Sequence, residues 1–369
     1  MASRIVLFGA TGRIGRITAR ALVEAGVRPV LAGRDPHRLE NLSGAVGGGA
    51  DIVAADAARP ESVRALLGRG DVLISTVGPF TILGSPAVEA AVDAGAIYLD
   101  CSGEPRFIRR VFKHWGPRAA ASGATLLPAM GFDFVVGNIA GATAVERSGA
   151  AAVRLEVGYF VRGDARRAMS PGSRASALGM AFDSMHRYQA GQLVVSARGG
   201  RPFSVGGTTR YAVPIGASEP LALPPVYPQL RDVSVYLSVD GMAMRAAGAV
   251  AAICPTLARL PGVRRGVRVA MGQLLRRPDR DPDAAVPIQP VVIAQAFDPQ
   301  GRSLSDVTFE CSSPYEFTGH ILALAAVVAS RDGVRDVGAL GPVKALGLNR
   351  AAQLCANCGC REPPLRPRR

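Results

Sequence analysis

Gly9, Gly12 and Gly15 stand where a short apolar run, Ile5 to Phe8, gives way to a helical pattern with Ile14, Ile17, Ala21, Leu22 and Ala25 on one face. A strand, a tight turn and a helix in that order aim backbone N–H groups at an anion, and the chemistry this serves is binding of a dinucleotide pyrophosphate. Gly9 supplies the backbone angles of the turn, Gly12 lets a phosphate reach the main chain, and Gly15 lets helix and strand pack closely. The spacing is G-x-x-G-x-x-G, one residue longer between the first two glycines than the common fingerprint, and the same residues would also serve a plain strand-to-helix turn. The cofactor contacts expected here are Gly9, Ala10, Thr11, Gly12, Arg13, Ile14 and Gly15.

A nicotinamide dinucleotide needs further partners. An acid about 20 residues past the glycines holds a ribose 2′-hydroxyl in such folds, whereas an arginine there accepts a 2′-phosphate. Here the run is Ala32-Gly33-Arg34-Asp35. Gly33 leaves room and Arg34 offers a forked cation, which favours the phosphorylated cofactor; Asp35 keeps the other form open. Asp56 is spaced to accept from the adenine amine, or equally to cap the next helix. Thr76, Val77, Gly78 and Pro79 close the fourth strand, Asp100 and Cys101 the fifth, and that edge of a doubly wound sheet borders the nicotinamide. NADPH is the expected cofactor.

These residues need a sheet to hold them. Strands expected at Arg28–Ala32, Ile52–Ala55, Asp71–Val77, Ala96–Cys101 and Ala124–Met130 alternate with helices at Pro60–Leu67, Gly84–Ala94 and Pro105–Ala121, the pattern of parallel βαβ units. The loops Asp100 to Glu104 and Gly131 to Asp133 then line the ligand crevice. After about residue 148 the alternation stops. Val153–Val161 reads as a strand, and a serine-rich loop from Met169 starts a helix running to about Tyr188. Later strands are expected at Gln192–Ala197, Asp232–Val239, Val291–Phe297 and Val307–Ser312, the last two joined by a turn at Asp298-Pro299-Gln300-Gly301. The fold class is α/β: a Rossmann-type doubly wound parallel sheet with an inserted α+β domain of mixed or antiparallel sheet. The expected divisions are 1–133 for the NADP-binding domain, 134–314 for the substrate and dimerisation insert, 315–358 for helices returning to the first domain, and 359–369 for a disordered tail.

Composition narrows the partners. The 369 residues are 48% hydrophobic with a formal charge of +14, yet only Lys113 and Lys344 are lysines, so the excess is arginine in an alanine- and glycine-rich chain and argues against a nucleic-acid partner. No acid occurs between Gly241 and Pro278, where arginines 245, 259, 264, 265, 268, 276 and 277 stand, a candidate contact for a membrane surface or a carrier protein. An exposed sheet edge in the insert would suit a homodimer. No apolar stretch reaches ~18 residues and the run before Gly9 is too short for a secretory leader, so a cytoplasmic protein with most of its six cysteines as thiols is expected. His37, His114, His186 and His320 lack zinc spacing, and Cys355-x-x-Cys358-x-Cys360 has no second cluster, so no metal is expected. No tyrosine precedes a lysine by four positions, which excludes the Tyr-Lys relay of short-chain dehydrogenases.

Taken together, Gly9-Ala10-Thr11-Gly12-Arg13-Ile14-Gly15, Ala32-Gly33-Arg34, Thr76 to Phe80 with Gly84, Tyr98 to Glu104, Gly131-Phe132-Asp133, Ser170 to Leu178 and Tyr315 to Thr318 resemble the saccharopine dehydrogenase-like family of NADP-binding oxidoreductases, including its bacterial branch of trans-acting enoyl reductases. The resemblance spans about residues 4–350 and implies a Rossmann domain, an inserted α+β domain and a helical return. The chain departs from the family at Asn138, where an acid is usual, and at Ser173, where threonine is common. The reaction implied is hydride transfer from NADPH to an activated C=C bond of an enoyl or enone substrate, or to the C=N bond of an imine, with a protein group polarising the substrate or supplying a proton. The candidate catalytic groups are Tyr98, Glu104, Tyr159, Ser170, Ser173 and His186, with Ser102 a further donor; Tyr98 also fits a core residue and His186 a satisfied structural histidine. The alternative is an NADPH-binding sensor or scaffold that docks on a carrier protein or membrane without turnover.

Overall fold

The structure, a computed structural model, describes residues 3–162, 169–181, 183, 185–195, 199–239, 261–276 and 288–363. Its first layer is built from β1 (Ile5–Phe8), α1 (Arg13–Glu24), β2 (Val30–Gly33), α2 (Pro36–Ala45), β3 (Asp51–Ala54), α3 (Pro60–Arg64), β4 (Val72–Ser75), α4 (Phe80–Leu83), α5 (Ser85–Ala94), β5 (Ile97–Asp100), α6 (Pro105–Arg110), α7 (Gly116–Ser122) and β6 (Thr125–Leu127). All neighbouring strands run parallel. Every residue of β1, β2 and β4 is buried, which is why these strands are unbroken apolar runs rather than alternating ones.

α8 (Phe132–Ser148) carries the chain into the insert. There follow β7 (Arg154–Arg162), α9 (Pro171–Ala181), β8 (His186–Gln189), β9 (Gln192–Val195), β10 (Arg201–Val205), β11 (Thr208–Ile215), α10 (Glu219–Ala222), β12 (Asp232–Val239), α11 (Pro261–Arg276), β13 (Gln289–Phe297) and β14 (Ser303–Cys311). The return consists of α12 (Pro314–Asp332), β15 (Gly338–Ala339), α13 (Pro342–Leu346), α14 (Leu348–Asn357) and β16 (Cys360–Arg361). The parallel sheet has the order β15-β6-β5-β4-β1-β2-β3, and the second sheet runs β10-β11-β12-β7-β13-β14-β16 with β8 and β9 beside β12. Strand β7 pairs parallel with β12 and antiparallel with β13, so the second sheet is mixed. Its Leu155, Val157 and Tyr159 side packs on α8 in the main core, while Phe160, Phe203 and Tyr236 form a separate edge-to-face cluster on the other side. Gly319 of α12 lies so close to Ile17 of α1 that a Cβ there would collide, which brings the return helix flat onto the first domain.

Two expectations are corrected and two features are added. The helix from the serine loop stops at Ala181, and His186–Gln189 is a strand because Ala190 and Gly191, both at positive φ, turn the chain into β9. The hairpin of β10 and β11 was absent from the sequence reading. Cys360 and Arg361 are not disordered: they pair with β14, and Arg147 holds Glu362 through two 2.7 Å bonds. Cys311 and Cys360 are joined as a disulfide rather than free thiols. Of the arginine-rich segment, residues 240–260 and 277–287 lie outside the described residues, as do 364–369 of the expected tail; α11 is described and packs on α9. Among the described residues no helix is long and apolar enough to cross a membrane.

Candidate active site

Strand order reverses between β1 and β4, so the crevice of this sheet opens at their carboxyl ends. The glycine turn fills it from one side. Gly9 sits at φ 89°, and a Cβ there would stand 2.7 Å from Thr76 Oγ1 and 2.9 Å from Val77 Cγ2. At Gly15 a Cβ would run into the carbonyls of Gly9 and Ala10. Gly12 differs: its Cβ direction meets only the Gly9 carbonyl, 3.4 Å away. Gly12 is also the N-cap of α1 with no capping side chain, and the first turn holds no acid. The Ile14 and Gly15 N–H groups have no helical carbonyl to meet. An open cradle at a helix N-terminus with free donors fits a pyrophosphate, and Gly9 to Gly15 would hold it.

The ribose end is sorted by hydrogen bonds. Asp35 Oδ1 accepts from Arg38 N at 3.1 Å and caps α2, so that carboxylate is already engaged. Arg34 is exposed beside it, with no bonded partner among the described residues. A cation without a partner next to a tethered acid suits a 2′-phosphate better than a bare hydroxyl. Asp56 accepts from Ala58 N at 3.0 Å in a turn. Thr76 Oγ1 donates to the Gly9 carbonyl at 3.0 Å, linking β4 to the glycine turn, and the Gly78-Pro79 peptide is cis.

The opposite edge holds the acids. Asp100 is fully buried, accepts from Ser102 N at 2.7 Å and Ala129 N at 2.9 Å, and burial pushes its pKa up to about 6. Burial likewise pushes the Cys101 thiol up, so it is not a reactive thiolate. Past β6, Phe134 adopts φ 84°, a conformation a bulky residue rarely takes, and Asp133 before it is also non-helical. Phe132 N donates to Thr318 Oγ1 at 2.9 Å, which pins this turn to α12. The result is that the Asp133 side chain is open to solvent yet walled in by protein, with Gly103 so near that a Cβ there would lie 3.4 Å from Oδ2. It has no hydrogen-bond or ion-pair partner among the described residues, and loss of water around it pushes its pKa up to about 6.

The expected catalytic groups divide. Tyr98 lies in the core between the sheet and α5–α7, its phenol pushed up by burial, and is corrected to a packing residue. Tyr159 is 2% exposed; its hydroxyl donates to Glu219 Oε1 at 2.7 Å and accepts from Gly137 N at 3.0 Å, inside the core rather than the crevice. His186 is on a strand, its Nε2 lies 2.9 Å from the Ala217 carbonyl, and burial lowers its pKa to about 4, so at neutral pH it is uncharged with its N–H already given away. Glu104 accepts from Phe80 N and Thr81 N, each at 2.8 Å, from the Thr81 hydroxyl, and from Ser176 Oγ at 2.7 Å, which leaves it no free oxygen for substrate. Ser170 and Ser173 stand at the start of α9 beside Tyr315. Ser170 Oγ caps α9 through Ser173 N at 3.1 Å, and the Ser173 hydroxyl is 2.9 Å from that of Tyr315.

Residues 5–127 match the sequence profile of the saccharopine dehydrogenase NADP-binding domain. Over those residues the first layer is similar to the NADP-binding domain of saccharopine dehydrogenase. NADPH is its cofactor, in keeping with the engaged Asp35 and the free Arg34. Two relatives, both trans-acting enoyl reductases, are similar over 136 residues: one of Mycobacterium leprae at 42% identity and one of Mycobacterium bovis at 39%. Each match covers 36% of this chain and 32% of the relative, so the chain matches about a third of the relatives' own length. Saccharopine dehydrogenase (L-Glu forming) of Saccharomyces cerevisiae shares the fold across 98% of this chain and 99% of its own, with a TM-score of 0.60 and 14% identity.

Two residues near the crevice were placed by sequence reasoning without being given a role. Asp133, at the rim of the NADP-binding domain, was expected only in a crevice-lining loop, because the strained turn after it has no sequence signal. Tyr315 is the other: its ring lies under the Arg13 guanidinium, 4.5 Å from the centroid, and its hydroxyl accepts from Ser170 N at 2.8 Å. Its place in a polar run at the start of a helix was the available signal.

Proposed function

We propose that the protein is an NADPH-dependent reductase that saturates the activated C=C bond of an enoyl group carried by an acyl substrate, with a second protein presenting that group in trans. The observation that carries this reading is the unpartnered Asp133 carboxyl, held at the crevice by strained backbone. NADPH, when bound, supplies the hydride that adds to the β-carbon. The chain supplies the rest. As negative charge builds toward the thioester oxygen, hydroxyl donors at the rim, Ser173 and Tyr315, are the groups available to receive it. Asp133, whose pKa is raised to about 6, keeps a proton up to about that pH, where an ordinary aspartate would already have lost it, and delivers it to the α-carbon. The names of the relatives, trans-acting enoyl reductases, favour C=C over C=N.

The test is a panel of enoyl thioesters, enones and cyclic imines at fixed NADPH, run with the wild type and Asp133→Asn. Oxidation of NADPH with an enoyl thioester, reduced about 10²-fold or more in kcat by the substitution, is the expected outcome. Turnover of imines alone would replace the enoyl assignment, and tight NADPH binding with no turnover of any substrate would favour a sensor.

A further inference from the structure

We propose that Glu104 is a positioning residue for hydride transfer, tying the loop expected beside the nicotinamide to the insert through Ser176; this rests on the reductase reading above. Helix α9 presents Ser170, at its cap, Ser173 and Ser176 at intervals of three, so they share one face and span about 9 Å along the axis. One end of that face meets the glycine turn, where Ser173 touches Tyr315 and Tyr315 carries Arg13 on its ring. At the other end Ser176 Oγ donates to Glu104 Oε1. The same carboxylate, 1% exposed, collects the Phe80 and Thr81 N–H groups and so fixes the chain just past Gly78-Pro79. A buried carboxylate whose two oxygens serve four donors has no role left in moving protons. Its role is to set where that loop stands against α9.

The remainder of α6 extends this seam. Arg106 and Arg109 face Asp183 and His186 of the insert, and Pro105 packs so tightly on Gly216 that a Cβ there would stand 2.6 Å from it. One seam between the two domains therefore runs along this short helix, with Glu104 at the end nearest the crevice. A reacting centre displaced by about 1 Å can lose on the order of 10²-fold in rate, so a bond that fixes this loop acts on kcat without touching substrate.

Ser176→Ala removes the cross-domain bond alone, Ser176→Thr keeps a hydroxyl, and Glu104→Gln sets an amide NH₂ against backbone donors. Each full-length variant is loaded with NADPH; hydrogen exchange is followed over residues 78–83, and NADPH affinity and turnover are measured. For Ser176→Ala we expect faster exchange in that segment, NADPH affinity within about twofold of wild type and kcat down about tenfold, with Ser176→Thr restoring both. Wild-type exchange over 78–83 in Ser176→Ala, or failure of Ser176→Thr to restore it, overturns the proposal. Exchange is read with NADPH alone, so it decides the matter even if no enoyl substrate turns over, in which case only the reductase reading falls.

Discussion

Asp133 is placed by a backbone conformation that costs about 1–3 kcal/mol at Phe134, a strain the Thr318 bond and the buried ring of Phe134 must offset. Its pKa is raised from 3.8 to about 6 by desolvation. The stability its protonated form contributes is complete below about pH 3.8 and is lost as pH rises through about 6. Asp133→Asn should therefore gain Tm at pH 8, by about 1–3 °C, and gain nothing at pH 4; thermal melts at both values check it, and equal shifts at both would reject it. Wild-type kcat is expected to fall above about pH 6, and the same variant should lose that fall. At the ribose end, Arg34→Ala should raise the Michaelis constant for NADPH about tenfold or more while leaving that for NADH nearly unchanged. Equal effects on both cofactors would refute the pairing. Arg34 and the three glycines could be proposed from sequence because backbone geometry and charge act there through residue type alone. Tyr98, Tyr159 and His186 were not, since alternation marks a strand without saying which face looks into a crevice.

At the scale of elements, α8 shows how a helix can be shaped by what it faces. Gly137 gives its N–H to Tyr159, and a Cβ at that position would overlap both Tyr159 Oη and Glu219 Oε1. Gly137→Ala should destabilise the protein by about 1–3 kcal/mol through overpacking, even though alanine is the better helix former; urea unfolding measures it. Little or no loss would mean that the pair can move aside. Beneath it, burial pushes Glu219 up to about 8, so this side chain is a neutral acid near pH 7. The parallel strands were readable as apolar runs bounded by glycines. The insert was less so: β8 hid inside a helical pattern, and β10 and β11 were missed although Gly206-Gly207, both at positive φ, are the residues a two-residue hairpin turn requires.

At the scale of the molecule, the nucleotide-binding sheet is not finished by the segment that begins it. Strand β15 lies beside β6, with Gly338 opposite Thr125 and Ala339 opposite Leu126, and α12 covers α1. The end of βαβ alternation and the return of helical periodicity were visible in the sequence; that the later segment also adds a strand was not, since two residues carry no period. A chain made from its amino end therefore leaves β6 as a bare edge until about two hundred further residues have been added, which takes about 10–40 s at ordinary elongation rates. Ribosome-stalled chains ending near residue 300 should show the first sheet open to protease, whereas stalling beyond the end of the chain should protect it; protection in both would mean the early strands close without their late partner. An unpaired edge in a nascent chain is a template for joining another copy. Gly338 and Ala339 thus cover an edge that would otherwise stay open to another copy, a service separate from anything done at the crevice.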